Sequence, residues 1–243
     1  MSKTLVVVVP DADILAATVA SRLVNKIVDA QAERGAAGVV LTGGRIAAKV
    51  LTTLKDLPAA AAVDWSTVDL WWGDERFLPA GDADRNETQA RAALLDALPL
   101  DPARVHAMPA SDGPDGDDAE AAAASYAGQL RAGGADLPTF DVLMLGVGED
   151  GHVASLFPEH PVLNETGTTS AVHDSPKPPP TRITLTMPAI QSADEVWLIA
   201  AGPDKTGAVG RALNGDKQLP AAHAAGRSKT YWLLDASAAA DVS

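Results

Sequence analysis

FDVLMLGVGEDGHVASLFP, residues 140–158, is the stretch from which the fold is read. Val142–Leu145 is an unbroken apolar run, the pattern of a strand buried on both faces. The run stops at Gly146-Val147-Gly148, where glycines let the backbone turn sharply and come close to a ligand. Asp150-Gly151-His152 follows at once and sets a carboxylate and an imidazole two residues apart on a tight turn. Strand ends of this kind carry the ligands and the chemistry of open α/β sheets. The string from Gly146 to Gly151 also satisfies G-x-G-x-x-G, but that fingerprint needs a long helix whose N-terminus holds a pyrophosphate. Pro158 and Pro161 would end any helix there, and no strand-terminal acid follows about twenty residues on. A nicotinamide site is therefore rejected, and no cofactor is expected.

Working outward, Leu5–Val9, Val39–Leu41, Val68–Trp72, Val196–Ala200 and Tyr231–Leu234 read as further doubly buried strands. Between the first two, Leu15, Val19, Leu23 and Ile27 repeat every four residues, the stripe of an amphipathic helix capped near Asp11. Asn86-Glu87-Thr88-Gln89 reads as a capping box opening a helix to about Leu98. Asp117–Arg131 is alanine-rich and helical, after a solvated acidic loop from Ala110 to Asp118. Thr184, Leu185, Thr186 and Met187 alternate polar and apolar after Arg182, which predicts a strand with one exposed face. PKPPPTR before it reads as an extended connection, not a domain linker. Strand–helix alternation of this kind predicts a Rossmann-like α/β fold: a mainly parallel sheet, helices on both faces, and a single domain over residues 1–243.

Acidic residues outnumber basic ones 32 to 19, a net charge of −13, which argues against nucleic acid or an anionic membrane as partner. An anionic ligand would need cations gathered locally against that field. The absence of cysteine excludes disulfides, thiolate zinc sites and a cysteine nucleophile. MSKTLVVVVPDAD at the N-terminus reads as a first strand, not a signal peptide, and no apolar segment is long enough to span a bilayer. A cytoplasmic monomer acting on a small molecule is the expectation.

Four strand ends carry unusual residues: Thr42-Gly43-Gly44-Arg45, Gly73-Asp74-Glu75-Arg76, Asp150-Gly151-His152 and Gly202-Pro203-Asp204-Lys205. In a parallel sheet they share one edge and can converge. Gly43-Gly44 opens a helix whose free N–H groups suit a phosphate, and Arg45 can add charge. The Arg76 guanidinium suits a developing oxyanion. Arg182 and Lys205 suit a phosphate, although each taken alone reads better as a surface charge. His106, His160, His173 and His223 lack any acid–glycine context and read as structural or exposed.

Together these pieces resemble a known family. DVLMLGVGEDGHVASLFP is similar to the signature G-x-G-x-D-G-H-x-A-S-L-F-P of the 6-phosphogluconolactonases. WWGDERFLP with the downstream Asn86, then RITLTMPAI, then AGPDK resemble that family's other segments in the same order, over essentially the whole chain. The resemblance implies a fold shared with glucosamine-6-phosphate deaminases and no required metal. It implies hydrolysis of 6-phospho-D-glucono-1,5-lactone to 6-phosphogluconate, the second step of the oxidative pentose phosphate pathway. In that reaction His152 would take a proton from water, since an unperturbed imidazole with pKa about 6.5 is mostly neutral at pH 7. Asp150 would orient it, and Arg76 would stabilise the oxyanion. Thr42, Gly43, Gly44, Arg45, Asp74, Asn86, Gly148, Arg182 and Lys205 would bind substrate or its phosphate, with Ser155 left out as nucleophile.

One loop departs from the family. Thr42-Gly43-Gly44-Arg45-Ile46-Ala47 stands where S-G-G-S is usual, so either Ile46 obstructs the phosphate or Arg45 supplies charge to it. Two other readings are a glucosamine-6-phosphate deaminase and a non-catalytic sugar-phosphate sensor. Deaminases carry D-E-Y and F-N-E-P where this chain has Asp74-Glu75-Arg76 and Ser155–Pro158. A sensor would carry a helix-turn-helix and a basic face, and this acidic chain starts directly in a strand.

Overall fold

The structure, a computed structural model, describes residues 2–131, 134 and 137–242, so both ends of the expected 1–243 domain lie outside the described residues. Among the described residues, nine strands and six α-helices follow one another: β1 Lys3–Val9, α1 Ala12–Arg34, β2 Ala37–Leu41, α2 Arg45–Lys55, β3 Val68–Trp72 and β4 Asp74–Arg76 come first. Then come α3 Asn86–Ala93, α4 Ala119–Leu130, β5 Val142–Gly146, β6 Thr169–Val172, β7 Arg182–Leu185, α5 Met187–Gln191, β8 Glu195–Ala200, α6 Thr206–Leu213 and β9 Lys229–Asp235.

Six strands form a wholly parallel sheet in the order β1-β9-β8-β5-β2-β3. Every residue of β2 and β8 is buried, as are the first four of β5, so helices and loops cover both faces of the sheet's middle. That is the predicted class. From β2 the chain moves outward to β3, whereas from β5 it moves the other way to β8 and β9, so the order reverses between β2 and β5. Ligand crevices of open α/β sheets lie at such a reversal. A second sheet, β4-β7-β6, is antiparallel and stands over the carboxyl edge of β3. One hydrophobic core joins the layers, with Trp72, Trp197, Tyr126 and Phe140 among its largest fully buried side chains.

Helix α1 forms as its stripe predicts. Leu15, Val19, Leu23 and Ile27 are buried, and Asp11 caps the first turn by accepting from Asp13 N and Ile14 N, both at 2.9 Å. Three readings need correction. β1 is an edge strand with β9 its sole neighbour, and Val6 and Val8 are 42% and 49% exposed, so it is not doubly buried. An all-valine run reads the same in either position. β7 lies between β4 and β6 under α4, and all four of its residues are buried, so it has no exposed face. Thr186 leaves the strand to cap α5, accepting from Ala189 N at 3.5 Å. Finally, Asn86 is the first helical residue of α3, not its cap, and the helix stops at Leu94 (φ −150°, ψ −50°), short of Leu98.

Among the described residues no helix is long and apolar enough to cross a membrane. Asp11→Ala is expected to cost about 1 kcal/mol, read as a lower urea midpoint at unchanged slope. An unmoved midpoint would show that α1 is held by its buried stripe alone.

Candidate active site

The loops after β2, β3, β5 and β8 meet, with the start of β7, around a cavity of about 570 Å³. His152, Arg76 and Gly148 line it, as do Thr42, Gly43, Gly44 and Arg45. So do Asp74, Asn86, Arg182 and Lys205. Asp150 does not border the cavity; it stands behind His152.

The turn after β5 is closed by Gly148 N donating to His152 O at 2.9 Å and Gly151 N donating to Gly148 O at 3.0 Å. It brings Asp150 Oδ1 to 2.5 Å from His152 Nδ1 and 3.3 Å from His152 N. Burial pushes the Asp150 carboxyl up, but the hydrogen bond and charge of His152, with the charge of Lys177, outweigh it and hold the group below the usual carboxylate range. An ionised carboxylate can only accept, so Nδ1 carries a hydrogen and Nε2 is the ring nitrogen left uncommitted. Nε2 has no hydrogen-bond partner among the described residues. The imidazole packs on Phe157, centroids 4.6 Å apart, and also lies against Gly148, where an added Cβ would overlap the ring.

Antiparallel register sets Arg76 of β4 directly opposite Arg182 of β7, so two guanidinium-bearing chains leave the same face side by side. Arg182 is buried and largely committed: Nε donates to Pro179 O at 3.2 Å, and Nη2 to Lys177 O and Pro178 O, both at 3.0 Å. Nη1 lies 3.9 Å from Asp74 Oδ2. Burial, against the pull of Asp74 and with the push of Arg76, lowers its proton affinity. The Pro-rich connection is thus a wall of the site, tied down by an arginine. Arg76 gives Nη1 to Asp84 O at 2.6 Å, and its Nε is buried without a partner among the described residues. Asp74 Oδ2 accepts from the fully buried Ser155 Oγ at 2.7 Å, and Asn86 Nδ2 donates to Asp74 O at 2.9 Å. Asn86 Oδ1 is buried with no donor among the described residues, and Gly43 lies so close to this amide that a Cβ there would overlap it.

Thr42 Oγ1 accepts from Gly146 N at 3.3 Å across the sheet's reversal point. Gly44 caps α2 with no side-chain bond, so the helix presents uncapped first-turn amides. Asp204 Oδ2 lies 3.7 Å from Arg45 Nη2 and 3.3 Å from Lys205 Nζ, which gathers two cations beside those amides. Ile46 borders the cavity while leaning on the core, so Arg45, not Ile46, marks the mouth of the cradle. Lys49 and Lys177 also line the cavity and carried no motif signal.

Glu75 was missed. It is wholly buried and accepts from Arg76 N (2.8 Å), Asn86 N (2.6 Å) and Glu87 N (2.8 Å), with Arg85 Nη2 at 3.9 Å. It caps α3 from another strand, where Arg85 at the capping position makes no side-chain bond. Burial pushes its carboxyl up to about 7, against Arg85 and the three backbone donors. The other histidines are structural: His106 stacks on Trp71 at 3.7 Å and meets Asp69, and His160, His173 and His223 meet His173 O, Glu120 and Lys217 O. Among the described residues, no three or more acids and histidines are grouped to hold a metal ion.

A cation-rich crevice beside an imidazole–carboxylate pair, at the reversal point of a parallel sheet, defines an α/β protein built to act on a small anionic molecule. The chain belongs to the family of glucosamine-6-phosphate isomerases and 6-phosphogluconolactonases, whose profile matches residues 10–232. A 6-phosphogluconolactonase of Streptomyces coelicolor is 60% identical over 240 residues, 96% of this chain and 92% of the relative. One of Mycobacterium tuberculosis is 50% identical over 237 residues, 95% of each chain. The solved structure of a 6-phosphogluconolactonase from Trypanosoma brucei is 25% identical and superposes with a TM-score of 0.85, covering 100% of both chains.

A raised folded-state pKa at Glu75 contributes stability that is complete below the ordinary glutamate value of 4.5 and is lost as pH rises through about 7. The stability lead of wild type over Glu75→Gln is therefore expected to shrink across that window in urea titrations at pH 4.5, 6 and 7.5. A lead that grows with pH would show the carboxylate to be stabilised as an anion.

Proposed function

We propose that this protein hydrolyses 6-phospho-D-glucono-1,5-lactone to 6-phospho-D-gluconate, the second step of the oxidative pentose phosphate pathway. The observation that carries the reading is that one cavity is bordered both by His152, backed by Asp150, and by the paired arginines Arg76 and Arg182.

A lactone is an ester, so its hydrolysis needs a base for water, donors for the oxyanion and a proton for the departing ring oxygen. In this reading His152 Nε2 takes a proton as the water oxygen bonds to C1. The carbonyl oxygen becomes an oxyanion facing Arg76, whose guanidinium is already held in place. The C1–ring oxygen bond then breaks, the imidazolium returns its proton to that oxygen, and the C1 carboxylic acid so formed loses its own proton to water. Asp150, kept ionised, holds the ring in its productive tautomer and offsets the transient positive charge, while Gly148 seats it. The uncapped amides at Gly43-Gly44, with Arg45, Lys205 and Nη1 of Arg182, receive the phosphate; Thr42 holds that loop to β5. The unpartnered Asn86 Oδ1, set by Asp74, is an acceptor for a substrate hydroxyl. The reading takes the chain as one domain and as a cytoplasmic monomer that needs no cofactor.

His152→Ala is expected to lower kcat by roughly 10² to 10⁴ while binding of 6-phosphogluconate persists, in a coupled assay with spontaneous lactone hydrolysis subtracted. Unchanged turnover would remove His152 from the mechanism. Arg76→Ala is expected to cost about 3–4 kcal/mol, mainly in kcat. A loss confined to KM would make Arg76 a binding group, and ammonia release from glucosamine 6-phosphate would replace the lactonase reading with a deaminase.

A further inference from the structure

Lys177 lies in the Pro-rich wall of the cavity, where its backbone is fixed and its side chain is nearly uncommitted. Arg182 grips the carbonyls of Lys177, Pro178 and Pro179, and the Ser175 hydroxyl donates to Lys177 O at 3.0 Å and accepts from Lys177 N at 3.4 Å. The ammonium has one contact among the described residues, Glu149 Oε1 at 3.1 Å. Both side chains are open to water, 35% exposed at Lys177 and 61% at Glu149. A pair this exposed adds little to stability, so it does not account for a cation anchored on this wall.

Position within the cavity narrows the task. The Lys177 ammonium meets Glu149, the residue directly before Asp150, so it stands at the imidazole end. Arg45 and Lys205 share Asp204 at the opposite, α2 end. Hydrolysis changes the charge at the imidazole end, because a neutral acyl carbon becomes a carboxylate. The Arg76 guanidinium nearby is partly spent on Asp84 O, whereas an ammonium has three rotatable donors.

Resting on the lactonase reading above, we propose that Lys177 binds the carboxylate formed at C1, and that Glu149 competes for the ammonium and so eases product release. Before reaction the ammonium rests on Glu149. After ring opening it turns to the new carboxylate, and loss of the product returns it.

The test is inhibition of full-chain lactone turnover by 6-phosphogluconate, and by glucose 6-phosphate, which keeps the ring and phosphate but has no carboxylate. Lys177→Met is expected to raise the inhibition constant of 6-phosphogluconate about tenfold and to move that of glucose 6-phosphate by less than about twofold. Glu149→Gln, which removes the competitor, is expected to lower the 6-phosphogluconate constant about threefold. Shifts in the same direction for both variants would make the pair a mere latch and overturn the proposal. So would equal weakening of both inhibitors, or no shift at all in an active enzyme. Absence of wild-type lactone turnover would instead overturn the lactonase reading itself.

Discussion

β2 and β5 remain paired only at Val39–Val142 and Val40–Leu143, and beyond those residues they part. Neighbouring β5 and β8 stay paired for five residues, to Gly146 and Ile199. The gap falls where the strand order reverses, so two loops leave in opposite directions and leave a crevice between them. Thr42 bridges its floor through Gly146 N, which keeps the crevice from widening into a split sheet. The residues of the candidate site face this gap or brace something that does. The charge balance inverts there: six of the 19 basic residues line the cavity, against three of the 32 acidic ones. A chain with net charge −13 thus presents a locally positive crevice, which steers an anion to one place on an otherwise repelling surface.

The small second sheet holds that charge. Two arginines opposite one another on neighbouring strands repel, and such an arrangement persists only if the surroundings hold each guanidinium. Arg182 is held by three carbonyls of the Pro-rich wall, Arg76 by Asp84 O, and the turn between β4 and α3 by buried Glu75. Arg85 balances Glu75 while giving its own donors to Leu78 O and Met108 O. Donors fixed before substrate arrives need no reorganisation when charge develops, the condition under which electrostatic stabilisation is strongest.

The residues legible in the sequence were those with a local signature. The β5 run, the α1 stripe with its Asp11 cap, and the glycine-bounded strand ends all depend on neighbours within one or two turns, and all stand where expected. What escaped depends on partners distant in sequence. Glu75 caps a helix eleven residues away, and no capping box records that; the Asn86 motif that resembles one serves Asp74 instead. β1 and β7 were assigned the wrong exposure because apolar spacing reports periodicity, whereas exposure is set by which strand lies alongside. Lys177 was hidden in a run whose prolines signal only an extended chain, and its place on the wall follows from Arg182 gripping that run.

The same charges that capture the substrate oppose its release. In the proposed reaction a ligand that already carries a phosphate acquires a second anionic group, so the product is held by cations at both ends of the crevice. The backbone amides of Gly43-Gly44, with Arg45 and Lys205, suit the end that never changes charge, because a permanent phosphate can be met by permanent donors. The imidazole end alternates between neutral ester, oxyanion and carboxylate, and a flexible ammonium with an exposed counter-ion answers that alternation without a buried pair being broken. Binding the product more tightly than the transition state would only slow turnover, since catalysis depends on the difference between the two. An acidic exterior around a positive crevice serves that balance: it leaves the anionic product no second site to hold it near the mouth once it has left.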